Sequence, residues 1–208
     1  MAAPGTHIVF PPGTALARPA RGLGVELWRW LGLALLALGG WKREGDWPAD
    51  AKAVLLTAPH TSNWDGIWFL AAAAAWRVRL RYMGKASLTQ GPFGGLVRWT
   101  GCIPVNRSKS NDLVAQMREA FAAEHGLILA IPPEGTRGKV EKWKSGFYHI
   151  AVGAGVPILC SVLDYKKKTA RISGVVWPTG DYAADFALIR SHYEGATGKH
   201  PGDFTLAI

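Results

Sequence analysis

Residues 54–65 have the sequence VLLTAPHTSNWD, in which an apolar run leads through a short polar stretch towards a helical pattern. The apolar part, 54–58, predicts a buried strand, and residues 64–76, with their run of alanines, predict a helix suited to close packing. Ser62 and Asp65 have the spacing of a capping box, which marks the start of a helix. A strand that turns directly into a helix is typical of a domain in which strands and helices alternate.

The same alternation continues to the end of the chain. Further strands are predicted at residues 80–83, 102–105, 127–131 and 157–163, an edge strand at 171–177, and helices at 92–100, 111–125, 146–154 and 182–193. This order predicts a single α/β domain with a mostly parallel sheet flanked by helices. The 208 residues are enough for one such domain with a real core. We place this domain at residues 46–208.

The most apolar part of the chain precedes the domain, at residues 23–41. Its uncharged run, 30–41, is shorter than the roughly 20 residues that a spanning helix needs. We therefore predict a helix that lies in the membrane interface, with tryptophans at headgroup depth; the alternative is a helix packed against the domain. Residues 42–50 are polar and predict a link. Residues 1–22 lack the basic and then apolar pattern of a signal peptide and predict a flexible leader.

The formal net charge of +9 suits a partner that carries phosphate or carboxylate groups. Nucleic acid, an anionic membrane and an acidic carrier protein all meet this condition. The basic residues are scattered, and no familiar nucleic-acid-binding signature is present, so no nucleic-acid partner is expected. The two cysteines, Cys102 and Cys160, form no disulfide framework, which favours a reducing compartment.

His60 and Asp65 are the first candidate catalytic pair. Histidine is a natural general base near neutral pH, and a carboxylate can orient its ring. On one continuous helix, residues five apart differ by about 140° in direction, so His60 is expected in the loop and Asp65 in the first helical turn. Alone, the pair has a plainer interpretation, in which Asp65 caps a helix and His60 packs in a loop.

Two further polar stretches follow predicted strands. Residues 132–137, Pro-Pro-Glu-Gly-Thr-Arg, place Glu134 and Arg137 after the strand 127–131. Arginine offers a planar fork suited to phosphate, although a charged surface turn is the alternative. Arg107 follows the strand 102–105 and is expected at the same edge of the sheet, where ligands bind in open α/β folds.

Other enzyme classes fit the sequence less well. No serine has the G-x-S-x-G setting of a serine hydrolase. Both cysteines lie in apolar runs, where a buried and inert thiol is the commoner state. The six histidines are dispersed, so neither a zinc site nor another metal site is expected.

Taken together, the polar stretches resemble the motifs of the glycerophospholipid acyltransferases, the superfamily of the 1-acylglycerol-3-phosphate acyltransferases. Four blocks occur in the family's order, over roughly half of the chain. They are His60 with Asp65, residues 92–94 with 101–107, the Glu-Gly-Thr-Arg of residues 134–137, and the Val-Pro-Ile of residues 156–158. Pro59, Gly138 and Cys160 stand where the family often has other residues, which leaves the identity of the acyl acceptor open.

The resemblance implies a direct acyl transfer without an acyl-enzyme. His60 deprotonates the acceptor hydroxyl, which attacks the thioester of acyl-carrier protein or acyl-CoA, and Asp65 orients His60. No bound cofactor is expected, because the thioester is a co-substrate. The residues that the resemblance assigns to substrate binding are Arg107 and Arg137 at the acceptor phosphate, Glu134 near the glycerol, and Gly135, Thr136 and Lys85.

The implied acceptor is lysophosphatidic acid or a related lysolipid, in phospholipid biosynthesis or remodelling. The implied location is the membrane, with the enzyme attached peripherally or monotopically and facing the cytoplasm. An acyltransferase for an amino-acid-linked lysolipid is one alternative, and a non-catalytic lipid-binding module on the same fold is another. The intact His60 and Asp65 argue against the second alternative.

Overall fold

The structure is a computed structural model that describes residues 22–48, 52–105 and 110–206. The strands are β1 Lys42–Glu44, β2 Lys52–Ala58, β3 Leu80–Lys85, β4 Cys102–Val105, β5 Leu127–Ile131, β6 Ile158–Asp164 and β7 Thr169–Val176. The helices are α1 Leu23–Gly39, α2 Asn63–Ala75, α3 Gly94–Trp99, α4 Ser110–Ala123, α5 Gly146–Ala154 and α6 Tyr182–Ser191. Short 3-10 turns occupy Ala86–Thr89 and Pro201–Asp203.

The seven strands form one sheet in the order β1-β7-β6-β2-β5-β3-β4. The five strands from β6 to β4 in this order are parallel, whereas β7 runs antiparallel to β6 and β1 runs parallel to β7. The three central strands β6, β2 and β5 are almost entirely buried, as expected for parallel strands covered on both faces. The prediction of an α/β domain with a mostly parallel sheet flanked by helices is confirmed.

The antiparallel end of the sheet differs from the prediction. Residues 171–177 were expected to form an edge strand, but β7 lies one position inside the edge because β1 pairs with its start. β1 is a strand of three exposed residues within the predicted link 42–50. Such a strand shows no alternation of buried and exposed side chains, so its pairing with β7 cannot be predicted from the sequence pattern. The sheet therefore starts before residue 46.

The apolar segment 23–41 contains a helix with two different faces. α1 packs against α2 at Gly32, where an added Cβ would lie 2.5 Å from the Ala71 carbonyl oxygen. Glu26 of α1 also pairs with Arg77 beyond α2, at 2.6 Å. The opposite face exposes large apolar side chains, namely Leu23, Leu27, Trp30, Leu31 and Leu38. One face is thus packed on the domain, while the other is apolar and open.

In the described ranges, none of the helices is long and apolar enough to cross a membrane. The predicted leader, 1–22, lies outside the described residues except for its last residue.

Candidate active site

The candidate site lies where the carboxyl ends of β2, β5 and β6 meet. These three strands are neighbours and parallel, so the loops that follow them emerge at the same edge of the sheet. His60 follows β2, Glu134 follows β5, and Tyr165 follows β6. Residues far apart in the chain are therefore brought together by strand order.

The loop after β2 is held by the start of α2. Ser62 is the N-cap of α2, and it forms a capping box with Asp65 as the sequence predicts. Oδ2 of Asp65 accepts hydrogen bonds of 2.7 Å from the main-chain N–H groups of both Thr61 and Ser62. The Asp65 side chain is fully buried, at 0% exposure. The loop conformation that carries His60 is thus tied to this one carboxylate.

Asp65 both caps the helix and faces His60. Nδ1 of His60 lies 3.5 Å from Oδ2 of Asp65, with His60 in the loop and Asp65 in the first helical turn, as predicted. Nδ1 is buried and makes no hydrogen bond to any residue that the structure describes. Hydrogen bonds between catalytic groups are often long in a free enzyme and shorten once substrate is bound. The arrangement suits an imidazole ring that is oriented by the Asp65 carboxylate on its Nδ1 side.

The Asp65 carboxylate remains ionised despite its burial. Burial acts to raise its pKa, but the facing His60 imidazole, the Tyr165 hydroxyl and the Ser62 main-chain N–H outweigh that effect. The net result is a pKa below the ordinary value of 3.8. Oδ1 accepts the Tyr165 hydroxyl at 2.6 Å. A permanent negative charge therefore faces His60 across the physiological pH range.

Glu134 is buried beside His60 and Asp65, which contradicts the alternative of a charged surface turn. Its Oε1 accepts a 3.0 Å hydrogen bond from the main-chain N–H of His60. Its Oε2 is buried without a hydrogen-bond partner among the described residues, and the residue is only 1% exposed. Burial raises the pKa of Glu134 to about 6. A buried carboxylate oxygen without a partner is an unsatisfied acceptor, which makes Glu134 a candidate for contact with a substrate.

Four of the other predicted substrate-binding residues, Gly135, Thr136, Arg137 and Lys85, lie at the same edge of the sheet. Gly135 has a φ of +66°, and an added Cβ would lie 2.9 Å from the Lys144 side chain, so a larger residue is disfavoured. Thr136 and Arg137 follow it on the exposed part of the loop, and Lys85 is the exposed last residue of β3. Arg107 lies outside the described residues.

Two contacts at the site were not predicted from the sequence. Tyr165 follows β6 and bonds Asp65 across 100 positions of the chain. The segment that starts at Thr197 covers the His60 loop, since the His200 N–H donates to Oγ1 of Thr61 at 3.2 Å and Gly198 packs against the same side chain. Only the placement of Tyr165 directly after a central strand hints at a location near the site.

Comparison with known proteins identifies related sequences. The family model described as Acyltransferase matches residues 43–163. The 1-acyl-sn-glycerol-3-phosphate acyltransferase of Haemophilus influenzae is 33% identical over 141 residues, which cover 63% of this chain and 57% of that protein. The protein of the same name from Escherichia coli is 31% identical over 135 residues, which cover 60% of this chain and 54% of that protein. The chain thus spans little more than half the length of these curated relatives.

A solved structure shares the fold. The 1-acyl-sn-glycerophosphate acyltransferase of Thermotoga maritima superimposes with a TM-score of 0.56 at 18% sequence identity. The match covers 82% of this chain and 75% of that one. At this identity the likeness concerns the fold alone.

Proposed function

The chain belongs to the acyltransferase family, within the glycerophospholipid acyltransferase superfamily, and we propose that it transfers a fatty acyl group from a thioester to the free hydroxyl of lysophosphatidic acid or a related lysolipid. The observation that carries the proposal is the buried cluster at the carboxyl ends of β2 and β5, where Glu134 hydrogen-bonds the main chain of His60 and Asp65 faces its ring. Residues of two of the family's motifs are thereby in direct contact, which supports the proposal.

In the proposed reaction, His60 acts as the general base. Nε2 removes the proton from the acceptor hydroxyl as its oxygen attacks the thioester carbonyl carbon. The C–S bond then breaks, and the thiolate leaves with the proton that His60 had taken. Asp65 is ionised at neutral pH and stabilises the imidazolium while it exists. His60 returns to its starting state, and an ester and a free thiol are the products.

The two cysteines are poor candidates for a covalent intermediate. Both are buried within strands, Cys102 at the start of β4 and Cys160 in the middle of β6. Burial raises the pKa of both thiols, so neither is a ready nucleophile. This supports direct transfer between the two substrates.

We propose that Glu134 is one of the residues that bind the acceptor. Oε2 of Glu134, which is buried without a partner among the described residues, accepts a hydrogen bond from the glycerol of the acceptor once this substrate is bound. Arg107 and Arg137 bind the acceptor phosphate, and Arg137 is exposed on the loop that Glu134 begins. Gly135 and Thr136 shape that loop, and Lys85 contributes a further positive charge at the rim. The donor is acyl-carrier protein or acyl-CoA.

The protein is proposed to collect its acceptor at a membrane surface, on the cytoplasmic side. The open face of α1 is apolar. α3 lies beside α1, since Trp28 meets Trp99 edge to face with ring centroids 5.1 Å apart. α3 and the turn before it expose Phe93, Leu96 and Trp99. The net charge of +9 adds attraction to anionic lipid. Attachment is therefore peripheral or monotopic.

The proposal is tested by incubation of the purified protein with acyl-carrier protein and CoA thioesters in turn. The acceptor panel contains lysophosphatidic acid, other lysophospholipids and an amino-acid-linked lysolipid, and products are identified by mass spectrometry. Acylation that is lost in a His60→Ala variant supports the proposal. Lysolipid binding without any acylated product overturns it in favour of a lipid-binding module.

A further inference from the structure

The Asp65 carboxylate has a separate set of partners on each oxygen. Oδ2 accepts the N–H groups of Thr61 and Ser62 and faces Nδ1 of His60. Oδ1 accepts the hydroxyl of Tyr165, at 2.6 Å. The Tyr165 contact thus helps to decide how the plane of the carboxylate is turned about the Cβ–Cγ bond, and with it the direction of Oδ2 relative to the imidazole.

Tyr165 is itself held on two sides. Its main-chain N–H donates to the Thr197 carbonyl oxygen at 2.8 Å, and its ring meets Trp41 edge to face, with centroids 4.8 Å apart. Burial and the hydrogen bond to Asp65 raise the pKa of Tyr165 well above its ordinary value, so the hydroxyl keeps its proton and donates it. A short, charge-assisted hydrogen bond from a fixed donor restrains its acceptor strongly.

We propose that Tyr165 is a positioning residue for acyl transfer. By fixing Oδ1 of Asp65, it directs Oδ2 at Nδ1 of His60 and keeps the proton of the neutral imidazole on Nδ1. Nε2 is then left unprotonated to receive the proton of the acceptor hydroxyl. This inference rests on the proposed function and adds to it a residue that does not touch the substrate.

The test compares Tyr165→Phe with Tyr148→Phe. Tyr148 is a matched control because its hydroxyl also donates to a buried carboxylate, Oδ2 of Asp185 at 2.7 Å, outside the candidate site. Both substitutions remove one hydroxyl and its bond to a carboxylate. Tyr148→Phe also removes the 3.0 Å hydrogen bond that this hydroxyl accepts from the Gly180 N–H, so its loss of thermal stability is expected to be at least as large as that of Tyr165→Phe. A merely structural role for Tyr165 would make the two variants alike in every other measurement.

The first measurement is the tautomer of His60, from 15N NMR of histidine-labelled protein above the pH at which imidazole titrates. We expect the Nδ1–H tautomer in the wild type and in Tyr148→Phe, and a mixture of tautomers in Tyr165→Phe. The second measurement is steady-state kinetics. We expect kcat to fall about tenfold or more in Tyr165→Phe, with KM for both substrates within about twofold, as for loss of a hydrogen bond to a charged group.

The inference is overturned if Tyr165→Phe keeps the wild-type tautomer and the kcat of Tyr148→Phe. The tautomer comparison needs no turnover, so it decides the role of Tyr165 independently of the lysolipid panel. Failure of the proposed function, seen as lysolipid binding without acyl transfer, is therefore distinguishable from failure of this inference.

Discussion

The main-chain N–H of His60 donates a hydrogen bond to Oε1 of Glu134, which joins two motifs 74 positions apart in the chain. The contact exists because β2 and β5 are parallel neighbours, with Leu56 opposite Ile131. β5 ends at this pair and β2 continues to Ala58, so both loops leave the sheet at the same edge. The His60 backbone and the Glu134 side chain form one wall of the site before any substrate is present.

His60→Ala is expected to lower kcat by roughly 100- to 10,000-fold, the usual contribution of a general base. Asp65→Asn is expected to cause a loss of similar order, because an amide cannot stabilise the imidazolium by charge. The measurement is acyl transfer to a lysolipid, with circular dichroism as a check of folding. His149→Ala, an exposed histidine on α5, is the control and should retain full activity. Turnover near the wild-type rate in His60→Ala would refute the mechanism.

Glu134→Gln is expected to change the pH dependence of stability. Burial raises the pKa of Glu134 to about 6 from an ordinary 4.5, so the folded state holds this proton more tightly than the unfolded chain. The stabilisation from this group is complete below pH 4.5 and is lost as the pH rises through 6. By pH 7 the ionised side chain costs about 2 kcal/mol in the free energy of unfolding.

The measurement for Glu134 is chemical denaturation at pH values between about 4.5 and 7.5, which span both pKa values. Relative to the wild type, Glu134→Gln should gain stability as the pH rises over this range, because glutamine does not ionise. Glu194→Gln, at an exposed position after α6, is the control. A stability difference between the wild type and Glu134→Gln that does not vary with pH would mean that Glu134 titrates as an ordinary carboxyl group.

Arg107→Ala and Arg137→Ala are each expected to raise the KM for a phosphate-bearing acceptor about tenfold or more, while the KM for the thioester stays nearly constant. Substitution by lysine should restore only part of the affinity, because the planar fork is lost. The measurement is kinetics with lysophosphatidic acid and with a monoacylglycerol that lacks phosphate. Arg190→Ala, at an exposed position on α6, is the control. An equal rise in KM for both acceptors would indicate that the arginines have a structural role.

The central part of the fold was predictable from the sequence because burial leaves a clear pattern. Residues 102–105 and 127–131 are strands with the predicted bounds, and residues 146–154 are a helix with the predicted bounds. The loop position of His60 and the cap formed by Ser62 followed from local geometry. In each case the signal lies within a few neighbouring residues, where periodicity and capping chemistry operate.

The features of the fold and of the site that were not predictable from the sequence depend on contacts between residues far apart in the chain. β1 has three exposed residues and forms only because β7 offers a free edge. Tyr165 bonds Asp65 only because β6 lies beside β2, and only its position directly after a strand hints at that outcome. The burial of Glu134 likewise follows from strand order. Such relationships are properties of the sheet topology, which the sequence pattern constrains but does not determine.

The two faces of α1 determine how membrane attachment has to be tested. Removal of α1 would uncover the α2 surface at Ala71 and Ala74, against which Gly32 packs. A shortened protein could then lose its fold and its lipid contact at the same time. Substitutions on the open face of α1 separate the two effects.

Trp30→Glu and Leu38→Glu are therefore expected to weaken membrane binding without unfolding the protein. The two side chains are 61% and 87% exposed on the open face of α1, so a charge there is tolerated in water but not in lipid. We expect each change to lower binding to anionic vesicles about tenfold or more, as measured by flotation, and added salt to weaken binding further. The control is Leu188→Glu, on α6 and 50% exposed, which should float like the wild type. Equal flotation of all three variants would show that α1 is not the attachment surface.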